Sequence, residues 1–163
     1  MLTLDYFCGE LLIPNLTGNS EANGAIAEIV NRSIALYEPR FLRSVLGTLY
    51  DEFIADVTTD KSKAIIAHLY DDVNLISPVA NYVYVNFRRD TMTDAVATGE
   101  GVASFENLTT TQGYKQQFAW NLMCDLVDDF WTWLEGCDTT FSRYGCYTTG
   151  MNPFRRVTNY SSC

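Results

Sequence analysis

The chain is short of positive charge and of the residues that build catalytic or metal centres. Eleven Lys and Arg stand against twenty Asp and Glu in 163 residues, a net charge of −9. Such a chain repels polyanions and anionic membrane surfaces at long range, which excludes a general nucleic-acid binder. Acidity is compatible with a surface past which DNA slides without sticking. There is one histidine, His68, and no Cys-x-x-Cys or His-x-x-x-His pair, so neither a metal nor any other cofactor is expected. The five cysteines, Cys8, Cys124, Cys137, Cys146 and Cys163, are odd in number and irregularly spaced. A chain of this length needs no covalent staples, and they are read mostly as thiols. No run approaches the about 20 apolar residues of a membrane span, and residues 1–10 lack the basic start and apolar core of a secretion signal. A soluble protein made in a cytosol is therefore expected. Phosphate-loop and dinucleotide fingerprints are missing as well, and Gly99-Glu-Gly101 reads as a turn.

What remains is the balance of a globular protein, 47% apolar and 19% charged, with length for one domain. Residues 1–18 mix apolar and turn residues, and Pro14-Asn-Leu-Thr-Gly18 reads as a loop. Ile26, Ile29, Val30 and Ile34 repeat at three-to-four spacing behind a capping Ser20, with Glu28 and Arg32 paired at i,i+4, which predicts a first helix. Pro39 predicts a kink, followed by a short helix over 40–46 that stops at Gly47. Leu49, Tyr50, Phe53, Ile54 and Val57 mark another short helix, and residues 63–72 a further one. Ser77-Pro78 reads as cap and first residue of a helix towards Arg89. The β-branched and aromatic Tyr82-Val-Tyr-Val85 argues for a strand there, but the cap favours helix.

Two extended runs about the Gly-rich turn predict a small hairpin over 94–107. The strongest signal is a helix over 112–135. Its stripe is Phe118, Leu122, Met123, Leu126, Val127, Phe130 and Leu134, and acidic residues occupy another face. The expected architecture is mainly α: a bundle of about four to five helices with a hairpin insertion over residues 1–136, then an extended C-terminal tail over 137–163. That tail carries three arginines against one aspartate, a net of +2, and leaves −11 for the residues before it.

Few residues suggest chemistry. His68 lies within a helical pattern and reads as a structural histidine. Adjacent carboxylates such as Asp71-Asp72 and Asp128-Asp129 diverge by about 100° on a helix and do not converge on one ion unaided. Trp120, Trp131 and Trp133 can be read as a stacking platform, but an apolar helix demands burial, so core or interface packing is the simpler reading. No catalytic residue is assigned. Candidate protein-interface residues are Trp120 and Trp131 on the long helix and Arg143, Tyr147, Phe154, Arg155 and Arg156 in the tail, since aromatic and arginine anchors are what protein interfaces favour. The acidic body of an adjacent copy is one target for a cationic aromatic tail.

Four segments carry a resemblance: Phe41-Leu-Arg-Ser-Val-Leu-Gly-Thr-Leu-Tyr-Asp-Glu-Phe53, Ala80-Asn-Tyr-Val-Tyr-Val-Asn-Phe-Arg-Arg-Asp90, Gly99-Glu-Gly-Val102 and Tyr114-Lys-Gln-Gln-Phe-Ala-Trp-Asn-Leu-Met123. In character and order, over roughly residues 20–136, the chain resembles small head-tail connector proteins of phages of Bacteroidetes, including crAss-like phages. The resemblance implies a structural, non-enzymatic virion protein of the head-tail neck. It implies a dodecameric ring joining the portal protein to other neck and tail proteins, with genomic DNA passing through and no membrane involved. Residues after Gly136 lie outside the resemblance. Two other readings stay open: a small soluble adaptor that binds a partner through its tail, and an enzyme using Asp125, Asp128 and Asp129.

Overall fold

The computed structural model describes residues 1–16, 21–97, 106–137 and 153–157. Five helices make the body: α1 Glu21–Leu46, α2 Leu49–Ala55, α3 Asp60–Leu69, α4 Pro78–Ala97 and α5 Glu106–Gly136. The α4 helix packs on both α1 and α5 and is the centre of the bundle. Val79, Ala80, Val83, Tyr84 and Phe87 on α4 meet Val30, Tyr37, Phe41 and Val45 from α1 and Met123, Val127 and Phe130 from α5 in one continuous core. The helix reading of Tyr82-Val-Tyr-Val85 therefore holds. Here the β-branched and aromatic side chains are wanted for bulk, and burial between two neighbours outweighs a propensity cost of less than about 1 kcal/mol per residue.

Each boundary has a local cause. The Ser77 hydroxyl accepts the N–H groups of Val79 and Ala80 at 3.1 and 3.4 Å and caps α4. The Thr59 hydroxyl accepts the Ser62 N–H at 3.1 Å and caps α3. At the end of α1, Gly47 takes φ +52° and donates its N–H to the Arg43 carbonyl at 3.0 Å, a left-handed stop that a Cβ would strain.

Two expectations are corrected. Pro39 does not divide the first helix: α1 is a single 26-residue helix with Pro39 inside it. The missing Pro39 N–H costs the Ala35 carbonyl its partner. However, Ile34, Tyr37, Phe41, Leu42 and Val45 all face the core on both sides of the proline, and their burial holds the helix together. The first arm of the expected hairpin is helical as far as Ala97, where Ala95 and Ala97 are good helix formers. Glu106 and Asn107 already belong to α5, and residues 98–105 lie outside the described residues. Among the described residues there is no strand, only an isolated bridge between Asp71 and Ile76. Ahead of the turn at Pro14 and Asn15, the N-terminal residues, for which the sequence predicts no element, are ordered on the body. Two 3-10 turns, Leu4–Tyr6 and Gly9–Leu11, turn Tyr6, Phe7, Leu11, Ile13 and Leu16 into the core. Turns of this kind have no apolar period, which is why the pattern was silent.

Tyrosine–carboxylate pairs tie separate elements together. The Tyr70 hydroxyl donates to buried Glu38 of α1 at 2.6 Å, and Glu38 also accepts the Leu2 N–H at 3.0 Å. The Tyr6 hydroxyl donates to Asp72 at 2.5 Å, and that of Tyr37 donates to Asp90. The thiol of Cys124 is buried at 1% exposure within α5, whereas that of Cys8 is exposed.

Candidate protein-interaction site

The long helix α5 is apolar on more than one face, as its sequence implies. One face carries Ala119, Met123, Val127, Phe130 and Leu134 into the core, while Phe118, expected to start that stripe, is 42% exposed. The burial stripe begins at Ala119. Trp120, Trp131 and Trp133 flank the stripe, half-buried against the core.

A second stripe, Gln117, Asn121 and Asp125, runs at four-residue spacing beside Trp120, and the segment 153–157 lies along it. The Trp120 Nε1–H donates to the Arg155 carbonyl at 2.7 Å. Asn121 clamps one residue at both ends, accepting the Val157 N–H at 2.9 Å and donating from Nδ2 to the Val157 carbonyl at 3.2 Å. The Gln117 Nε2 donates to the same carbonyl at 3.1 Å. The Arg156 guanidinium forms an ion pair with Asp125.

Ahead of these contacts, Phe154 enters a pocket between helices. Its ring stacks on Phe41 of α1 at 5.5 Å and 4° between planes, and meets Tyr82 of α4 at 5.5 Å. It stands edge-on to Trp120 of α5 at 5.7 Å and 85°. Edge-to-face and offset aromatic pairs at such spacings are worth about 0.5–1.5 kcal/mol each beyond the area they bury. Phe154 is the anchor; Pro153, Arg155 and Val157 are exposed.

The candidate interface residues thus divide. Trp120, Phe154, Arg155 and Arg156 come together here. Trp131 stands on α5 but in none of these contacts, and Arg143 and Tyr147 lie outside the described residues. The described part of the tail is held on the body, not extended away from it, because Phe154 buries its ring and α5 satisfies the backbone. Four participants went unread in the sequence: Gln117, Asn121, Phe41 and Tyr82. The signal for the first two was legible as a polar stripe 117, 121, 125 flanking an aromatic; for the others there was none, since a core aromatic and a pocket wall look alike.

A second concavity, a cleft of about 700 Å³, is lined by Lys63, His68, Tyr70, Asp71, Asp72 and Leu126 among others. Its polar groups are already engaged. The His68 ring stacks on Trp133 at 3.6 Å, and its Nδ1 lies 3.0 Å from the Ala64 carbonyl, which can only accept. Asp71 accepts the N–H groups of Val73 and Asn74, both at 3.0 Å. The Asn74 side chain and backbone lower its carboxyl below the usual range. Asp72 takes the Tyr6 hydroxyl. Among the described residues no group of three or more His, Cys, Asp or Glu side chains is placed to hold a metal ion. No helix among them is long and apolar enough to cross a membrane.

No protein-family model matches the chain, and comparison with curated proteins and with solved structures likewise gives no match.

Proposed function

We propose that this chain is a non-enzymatic structural subunit that works by assembling with other proteins, in the manner of the head-tail connectors it resembles. It would form a ring, twelve copies in the resemblance, between the portal and the tail of a phage virion. The observation that carries this reading is the stripe on α5 with its aromatic pocket. Carboxamides, an indole N–H and a carboxylate are set to hold a polypeptide backbone with one aromatic and one arginine side chain, which is the chemistry of protein recognition. The charge pattern supports it further, since an acidic body leaves DNA free to slide past.

The test is co-expression with the portal protein of the same genome, followed by sedimentation and electron microscopy. Rings seated on the portal are the expected result. A stable monomer that never associates with the portal would count decisively against the connector, and one-to-one binding of some other partner would select the soluble adaptor instead. Asp125, which the enzyme reading needs, is engaged by Arg156; metal-dependent activity abolished by Asp128→Ala would revive that reading.

A further inference from the structure

We propose that Gln117, Trp120, Asn121 and Asp125, with the Phe41–Tyr82–Trp120 pocket, form a recognition site for an extended segment of the pattern aromatic-x-arginine, and that its occupant in the assembled protein is the Pro153–Val157 segment of a second copy. The inference rests on the assembly reading above and names the contact that would build it.

The site separates two tasks. Four of its contacts fall on the main chain: the Trp120 indole on the Arg155 carbonyl, both ends of the Asn121 amide on Val157, and the Gln117 amide on the Val157 carbonyl. Main-chain contacts fix an extended backbone and its register whatever the sequence. Two contacts choose the sequence. The three-ring pocket takes Phe154, and Asp125 takes Arg156, two positions further on. Arg155, between them, is exposed and left unread.

Nothing in these contacts requires segment and site to belong to one chain. Residues 138–152, fifteen in number, join the end of the body to the segment. Fifteen residues reach up to about 50 Å, against about 37 Å across a compact domain of this size. A segment that docks at home can therefore dock on a neighbour. The tail, at +2, is attracted to an acidic body, at −11, whichever copy supplies that body. Every copy has one site and one segment, so a contact that is not returned by the same neighbour runs head-to-tail, and such contacts close into a ring where the rotation between copies allows it.

The probe is a fluorescein-labelled peptide with the sequence of residues 152–158, and the readout is anisotropy against full-length chains whose own segment is weakened, Phe154→Ala or, should that variant fold poorly, Arg156→Glu. Saturable binding is expected, at least tenfold weaker for a peptide with alanine in place of the phenylalanine. Asp125→Arg in the Phe154→Ala chain should weaken it about fivefold, with recovery when the peptide carries glutamate in place of the Arg156 arginine. Binding that is absent, or indifferent to both changes, overturns the site.

The occupant is tested by light scattering on two full-length variants. Asn121→Ala/Asp125→Arg lacks the site and Phe154→Ala/Arg156→Glu lacks the segment. Neither should associate alone, their mixture should form one-to-one pairs, and the wild-type chain should form larger species. Variants that assemble like wild type overturn the exchange and leave the assembly reading standing. A wild-type chain that stays monomeric while peptide binding survives overturns the second-copy occupant but not the site, and the assembly reading is then decided by co-expression with the portal.

Discussion

A carboxylate can be buried only where hydrogen bonds replace its water, and Glu38 finds them in the Tyr70 hydroxyl and the Leu2 N–H. Tyr70→Phe leaves that carboxylate half-satisfied and should cost about 1–3 kcal/mol in urea unfolding. The same hydroxyl dictates a pH dependence. Burial first, and the Glu38 charge second, hold Tyr70 protonated far above its ordinary range; burial and Asp72 do the same for Tyr6. Unfolded tyrosines ionise near pH 10, so above about 10 the unfolded chain has lost protons that the folded chain keeps, and stability falls as pH rises. Below pH 10 both states are neutral and the full contribution is present. Spectrophotometric titration of the native protein should show at least these two tyrosines silent until unfolding. Asn121 is the other residue whose role is separable. Asn121→Ala removes the acceptor for the Val157 N–H, and hydrogen exchange at that amide should accelerate while the α5 core amides stay protected.

At the scale of elements, how much was legible depended on whether burial had a period. The α5 helix and the cap of α4 were readable because a 3.6-residue stripe and a Ser-Pro pair are local signals. The N-terminal turns were not, since Tyr6, Phe7, Leu11 and Ile13 follow no single repeat. Nor was the continuity of α1, because a proline is a local rule that tertiary packing overrode. That override is measurable. Pro39 is exposed, so Pro39→Ala changes no core contact and restores the bond to the Ala35 carbonyl. It should stabilise the protein by about 1 kcal/mol or more, up to the roughly 3 kcal/mol a helix-interior proline can cost. An unchanged or lowered urea midpoint would mean that α1 is bent to fit the proline. The binding stripe on α5 was half-legible: Trp120 stood out as a large aromatic, whereas Gln117 and Asn121 looked like ordinary solvated positions.

For the whole molecule, the charge asymmetry read from the sequence acquires a location. Arg156 spends its charge on Asp125 of α5, and the Arg155 carbonyl accepts from Trp120. The same chain thus carries both halves of a contact, which is what a repeating assembly of one subunit requires. The exposed Arg156–Asp125 pair is screened by salt while the Phe154 pocket is not, so assembly through this contact should weaken only modestly between low and physiological ionic strength.

Cys124, sealed inside α5 with its thiol pKa pushed up by burial and by Asp128, turns the protein into its own clock. A thiol reagent reaches Cys8 at once but meets Cys124 only when the bundle opens. Under native conditions labelling at Cys124, followed on that residue by mass spectrometry, therefore counts openings of the core, and its rate with and without a bound partner reads how tightly that partner holds the chain shut.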